Sequence, residues 1–356
     1  MKELWKGNEA IAEAAVRAGL ALYIGYPITP QSEIMEYLSK RLPELGRVFI
    51  QSESELVSIN GAIGAAHTGY RAMTSSTCVG ISLMQEGMTA AFQKCLPILL
   101  VNVNRTGCGM GFGDYPGAQD NYTRETRGGG NGDYRTLVYM PSSIQEAVDL
   151  IYTKWDVAEK YRIPMEILTV GRLGQMMETV EFPPLKEPKQ AEWGMNGRRD
   201  NPGDFAKAYP IPKQPAYFLN KMKEIEENEQ DWENFMLEDA ETVIVAAGLV
   251  ARVAKKAILN LREKGYKVGL LRPISAWPYP VKGYEQLPDT VKKIVSLETT
   301  SMGQLLTDVL CTVKRIKKLN DKPVYSWARL MPLFNAKEIE DYILRVENGE
   351  EKEVAK

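Results

Sequence analysis

Apolar positions recur along this chain in two alternating patterns. Residues 8–18, 31–41, 55–67, 81–92 and 143–161 repeat them at the spacing of a helix with one buried face. Short strand-type runs lie between, at 20–24, 48–51, 71–75, 97–103 and 164–169. The run 97–103 is apolar except for Asn102, as a parallel strand buried on both faces should be. Strands separated by helices of this length predict an α/β domain with a parallel sheet over residues 1–182.

A second, smaller α/β unit is expected over 241–346, with strands at 242–247, 266–271, 291–297 and 323–330. Helices are predicted over 250–264 and 303–316; the first places Val250, Val253, Ala254, Ala257, Ile258 and Leu261 on one face. Seven prolines between 183 and 217 predict an irregular connector. Nine Asp or Glu between 221 and 241 predict a solvated helix leading out of it. The connector is therefore drawn over 183–240, and the charged tail 347–356 is expected to fray.

Charge excludes one class of function. The 356 residues hold 44 Lys+Arg against 46 Asp+Glu, a net charge of −2, which argues against a nucleic-acid binder that neutralises phosphates. No run approaches the ~20 apolar residues of a membrane span, and the N-terminus lacks a signal-peptide core. A cytoplasmic protein with neither membrane nor nucleic-acid partner is expected. Cysteines 78, 95, 108 and 311 form no CxxC pair, so no zinc or iron–sulfur site is expected on this chain; they read as buried small apolar residues. His67, the one histidine, lies among small residues and is expected to pack at a helix end.

Glycine is concentrated. Nine of the 26 residues from Gly107 to Gly132 are Gly, about a third against ~7% on average. This segment follows the apolar strand 97–103, at the strand end where α/β sheets bind ligands. A loop that approaches a ligand closely is the expectation.

Familiar phosphate and hydrolase signatures are missing: no GxxxxGK[ST], no GxSxG, no HExxH. A Gly-Asp-Gly followed by a distant Asn, the Mg-diphosphate signature of thiamine enzymes, is missing too. What the chain does contain is an ordered series of blocks. They are Lys6-Gly7-Asn8-Glu9-Ala10, Gly25-Tyr26-Pro27-Ile28-Thr29-Pro30, Gln51-Ser52-Glu53-Ser54-Glu55, Thr74 to Thr77, Leu83 to Gly87 and Asn102-Val103-Asn104-Arg105. Gly130 to Arg135, Gly174-Gln175-Met176-Met177-Glu178, Arg272-Pro273 and Glu298 to Gln304 continue the series.

In this series the sequence resembles the α subunit of the 2-oxoacid:ferredoxin oxidoreductases, above all the branched-chain (2-oxoisovalerate) type. The resemblance implies a thiamine pyrimidine-binding domain followed by a transketolase C-terminal-like domain. It also implies thiamine diphosphate shared with a β subunit that holds the diphosphate and Mg2+, a γ subunit, and a small ferredoxin-like δ subunit with [4Fe-4S] clusters. Coenzyme A would be co-substrate and ferredoxin the electron acceptor. The missing diphosphate and CxxC motifs accord with that division.

The resemblance assigns roles to particular residues. Thiamine needs a poorly solvated carboxylate on its pyrimidine nitrogen, to help deprotonate the thiazolium carbon. Glu55 opens a helix of small and apolar residues and is the expected catalytic acid, with Glu53 facing solvent. A helix-start acid stabilised by the dipole would look the same from sequence alone. Tyr26 and Pro27 are expected beside the cofactor. Arg105, ending the apolar strand, would anchor the substrate carboxylate through its planar fork. Thr29, between two prolines, would add a hydroxyl there. Two departures leave the substrate open: Asn131 stands where branched-chain relatives have His, and the loop 106–115 lacks their Gly-Pro pattern. Asn131 is expected near the substrate side chain, beside Arg105. An aryl, indole or dicarboxylic 2-oxo acid, or a non-catalytic scaffold role, are the alternatives.

Overall fold

A computed structural model describes residues 2–106, 117–195, 216–330 and 332–354. Its largest sheet has seven strands in the order β12-β6-β7-β5-β4-β2-β3. These are β2 (Leu22–Gly25), β3 (Val48–Gln51), β4 (Ala72–Ser76), β5 (Leu99–Asn104), β6 (Leu137–Tyr139), β7 (Met165–Val170) and β12 (Ser275–Trp277). All pairs are parallel except β12 against β6. The buried central strands β4, β5 and β7 give the parallel α/β architecture expected from their apolar runs.

Helices join and cover these strands. Helix α1 (Gly7–Arg17) packs on α2 (Ser32–Glu44) and α6 (Ile144–Tyr161), while α3 (Glu55–His67) packs on α4 (Cys78–Gln93). The short helices α5 (Tyr122–Arg127) and α7 (Gly171–Gln175) follow β5 and β7. A second sheet has the order β14-β13-β10-β11-β9, with β9 (Trp232–Phe235), β10 (Thr242–Val245), β11 (Val268–Pro273), β13 (Lys293–Glu298) and β14 (Val324–Ala328). It is parallel except for β9. Among the described residues, no helix is long and apolar enough to cross a membrane.

The differences from the sequence reading have physical causes. The acidic stretch 221–241 is not one solvated helix. Helix Ala216–Asn228 buries Lys221 and Ile225, and the chain then forms β9, whose Glu233 accepts from Arg272 Nε at 2.6 Å and pairs with Lys255. Partners on distant elements neutralise the charge that looked solvated. Strand β12 lies in the C-terminal half of the sequence yet edges the N-terminal sheet; three residues after a proline are too few to show a period. The β1 (Glu3–Lys6)–β8 (Met177–Val180) ribbon was missed for the same shortness. The C-terminal helix Ala336–Glu347 opens on an Asn335/Glu338 capping box that was legible and overlooked.

Cys78 and Cys95 are buried as expected, but Cys311 is exposed, because it sits on the outer face of the amphipathic helix Gln304–Arg315. Cys108 lies outside the described residues. His67 is half-buried in the last turn of α3, its pKa lowered by burial and by nearby Lys94 and Arg162.

Candidate active site

The carboxyl ends of β2, β4 and β5 face the N-terminal end of α4, and five of the six expected site residues gather there or in the loop beside it. Glu55 is the first residue of α3. Ser54 caps that helix, and its hydroxyl accepts the Val57 N–H at 3.4 Å. The Ser52 and Ser58 hydroxyls lie 2.6 Å apart and tie the preceding turn to the helix. The result is a carboxylate that is only 5% exposed, while Glu53 is exposed.

Glycines let the two helices close on this carboxylate. A methyl group at Gly80, in the first turn of α4, would stand 2.5 Å from Glu55 Oε1, and one at Gly87 would stand 2.5 Å from Ile59. A side chain at Gly87 would push α3 and α4 apart, and one at Gly80 would displace the ends of the Glu55 and Ser76 side chains. Among the described residues none donates a hydrogen bond to the Glu55 carboxylate. The hydroxyls of Ser76 and Thr77, at the end of β4, are buried and also without a hydrogen-bond partner. Buried polar groups without partners in the chain are expected to be satisfied by a ligand or solvent.

Arg105 follows β5. Its Nη1 donates to the carbonyl of Thr29 at 2.8 Å, and its Nε points at Cys78 Sγ at 3.4 Å. It pairs with no carboxylate among the described residues; a planar guanidinium fork is suited to a carboxylate anion. The loop carrying Tyr26, Pro27 and Thr29, all exposed, is fixed from beneath. Gln31 Nε2 donates to the Tyr26 carbonyl at 3.1 Å, the Ser75 hydroxyl donates to Gln31 Oε1 at 2.6 Å, and the Tyr23 hydroxyl lies 2.7 Å from Ser75. Thr29 and Arg105 are therefore brought together as expected.

Asn131 is not brought to them. Its N–H donates to Thr89 Oγ1 at 3.1 Å, eleven residues and about 16 Å along α4 from the Cys78 that touches Arg105. The glycines here serve packing. A side chain at Gly130 would collide with Thr89 and with the Gln85 carbonyl, and Gly128 and Gly132 take φ of +82° and +84°. The expectation of a ligand-approaching loop does not hold for residues 128–132; residues 107–116 lie outside the described ones.

Sequence reasoning gave no role to Gly80, Ser75, Gln31 or the blocks around Asn8 and Gln175. Those blocks had been noticed as family marks, and the structure shows them converging on the Thr29–Pro30 segment.

Comparison with known proteins decides what this arrangement belongs to. The family model for pyruvate flavodoxin/ferredoxin oxidoreductase, thiamine diphosphate-binding, matches residues 13–244, and the model for pyruvate:ferredoxin oxidoreductase core domain II matches residues 240–328. The chain belongs to the 2-oxoacid:ferredoxin oxidoreductase family. It is 39% identical to the ketoisovalerate oxidoreductase subunit VorB of Methanothermobacter thermautotrophicus, over 86% of this chain and 88% of that one. It is 32% identical to the 2-oxoglutarate synthase subunit KorA of Methanocaldococcus jannaschii, over 89% and 93%.

Solved structures show the same fold. A 2-oxoglutarate:ferredoxin oxidoreductase from Magnetococcus marinus, with 2-oxoglutarate, coenzyme A and succinyl-CoA bound, superposes with a TM-score of 0.82 at 22% identity. That match covers 97% of this chain, which spans 65% of the length of the solved one. A split-gene transketolase in an inactive β4 tetramer superposes at 0.62 with 14% identity, covering 96% and 97%. The α/β class, with a thiamine-type domain followed by a transketolase C-terminal-like one, is thereby established.

Proposed function

We propose that this chain is the α-type subunit of a cytoplasmic, CoA-dependent 2-oxoacid:ferredoxin oxidoreductase. It would convert a branched-chain 2-oxo acid, 2-oxoisovalerate, to acyl-CoA and CO2 while reducing ferredoxin. The observation that carries the reading is the buried Glu55 carboxylate beside Gly80, to which no described residue donates, with Arg105 and Thr29 held at the same end of α4.

The residues present suit the pyrimidine half of thiamine diphosphate. Glu55 offers a desolvated carboxylate, the backbone at Gly80 leaves room for close approach, and the Ser76 and Thr77 hydroxyls have spare hydrogen-bonding capacity. Bound thiamine diphosphate would supply the nucleophilic carbon that attacks the 2-oxo group and accepts the electrons released with CO2. Glu55 would hold a proton at the pyrimidine ring nitrogen, and burial keeps that proton from exchanging with water. Tyr26 and Pro27 would border the cofactor. Arg105 would grip the substrate carboxylate, with Thr29 beside it; the placement of Asn131 supports no direct part for it in that grip.

A site completed by a second chain accounts for the surface around Glu55. Leu56, Val57, Val79 and Leu83 are all about half exposed on the outer faces of α3 and α4. Apolar residues gathered beside a buried catalytic group mark an interface. The diphosphate, Mg2+ and [4Fe-4S] clusters would then sit on β, γ and δ partner subunits. Identity to the ketoisovalerate subunit supports the branched-chain choice. The test is the co-purified complex assayed against a 2-oxo acid panel with CoA and a viologen acceptor. The highest kcat/KM on 2-oxoisovalerate is expected; preference for 2-oxoglutarate would overturn the substrate, and no acceptor reduction on any 2-oxo acid would overturn the chemistry.

A further inference from the structure

Three segments far apart in sequence meet beneath the Thr29–Pro30 peptide. Asn8, fully buried in the first turn of α1, donates from Nδ2 to the Pro30 carbonyl at 2.7 Å and to Glu33 Oε2 at 2.7 Å. Gln175, the last residue of α7, donates from Nε2 to the same two acceptors, at 3.1 and 3.0 Å. Lys6 Nζ donates to the other Glu33 oxygen at 2.7 Å. Partial burial pushes the Glu33 carboxyl upward, but donation from Lys6, Asn8 and Gln175 brings it below the usual carboxylate range, so it stays ionised. The elements are pressed together to allow this. A side chain at Gly7 would overlap the Leu173 carbonyl, and one at Gly174 would overlap Asn8 Oδ1.

The Pro30 carbonyl therefore accepts two amide donors, and the carbonyl one residue earlier, that of Thr29, accepts Arg105. We infer that Asn8, Glu33 and Gln175 form a clamp of positioning residues that sets the Thr29–Pro30 peptide, and through it the Arg105 fork, for a substrate carboxylate. The inference rests on the proposed role of Arg105. None of the three touches the reacting atoms. They act by fixing a backbone carbonyl whose neighbour orients the guanidinium, and a misplacement of under an ångström there weakens a bidentate grip.

The test is a double-mutant cycle on the co-purified complex, with 2-oxoisovalerate as probe, CoA and a viologen acceptor. Gln175 is exposed, so Gln175→Ala leaves the core intact. It should raise KM for the 2-oxo acid about fivefold to tenfold, as loss of one polar contact does, with kcat and the KM for CoA unchanged. In an Arg105→Ala background it should add nothing, since residues acting through one group are not additive. An unchanged KM in Gln175→Ala, or the same rise in both backgrounds, overturns the clamp and leaves the role of Arg105 standing. If Arg105→Ala alone leaves KM unchanged, the anchoring role falls and the clamp falls with it.

Discussion

The two halves of α4 present buried carboxyl groups in opposite conditions. Around Gln85 and Thr89, every carboxyl finds its partners within the chain. Gln85 Nε2 donates to Glu125 Oε2 at 3.2 Å, Arg124 Nε donates to Glu125 Oε1 at 2.6 Å, and Asn102 Nδ2 donates to both Glu125 and Glu166, at 3.3 and 3.1 Å. The Tyr134 hydroxyl donates to Gln85 Oε1 at 2.7 Å and accepts the N–H groups of Gly129 and Gly130. Burial and the adjacent Glu125 push Glu166 well above the usual carboxylate range. At the N-terminal end, no described residue donates to the Glu55 carboxylate and no described carboxylate pairs with Arg105. A satisfied network rigidifies a core; an unsatisfied one is left for a ligand. The contrast separates the structural end of the helix from the end proposed to be catalytic.

The comparison can be broken most sharply at Glu55. Glu55→Gln keeps the shape and removes the proton carrier, so kcat of the complex should fall on the order of 100- to 10,000-fold, with the unfolding midpoint unchanged. Glu53→Gln, on the exposed neighbour, should be mild. Equal losses in the two variants would show that burial and partner count do not mark the catalytic acid.

Next in size is Arg105→Ala, expected to weaken kcat/KM for every 2-oxo acid by about 2–5 kcal/mol if the pair is desolvated. Arg105→Lys should restore part of it, because a point charge replaces a fork. A change in substrate ranking without a uniform loss would mean that Arg105 reads the side chain instead. Asn131→His, far along α4, should leave the ranking alone.

Gly80→Ala sharpens the geometry. The new methyl group would displace the Glu55 and Ser76 side-chain ends, both of which can swing. Activity should drop on the order of 100-fold while thermal unfolding shifts by no more than about 1–2 kcal/mol. A loss of stability with activity retained would place the tight contact in folding and not in catalysis.

The smallest effect belongs to the satisfied end. Glu166→Gln replaces the carboxyl by an uncharged amide and should cost under about 1 kcal/mol. Because the folded pKa is raised, the contribution of Glu166 to stability is full at acid pH and is lost as pH climbs through the folded value. Unfolding midpoints should fall in the parent as pH rises above the ordinary carboxylate range, and flatten in Glu166→Gln. A parent profile with no fall would contradict the raised pKa of Glu166.

Much of this was legible without coordinates. Strand 48–51 and helix 55–67 have the bounds that their periodicity predicts, and Glu55 and Arg105 both lie at the N-terminal end of α4, with Arg105 bonded to the Thr29 carbonyl. Asn131 was misplaced because glycine spacing cannot distinguish a loop that approaches a ligand from one that packs on a helix; the collision at Gly130 distinguishes them. The Asn8, Glu33 and Gln175 meeting was invisible, though two of its blocks were noticed, because 142 residues separate Glu33 from Gln175.

By itself the sequence determined most of the local elements and the parallel α/β class. These follow from periodicity and residue chemistry, which act over a few positions or are carried by single groups. Only the tertiary structure decided which buried carboxyl is satisfied and which is left open. It also decided that β12 crosses to edge the other sheet, and that one proline carbonyl is held from two directions. Those outcomes depend on how closely surfaces distant in sequence can approach, and here glycines at 7, 80, 87, 130 and 174 set that distance.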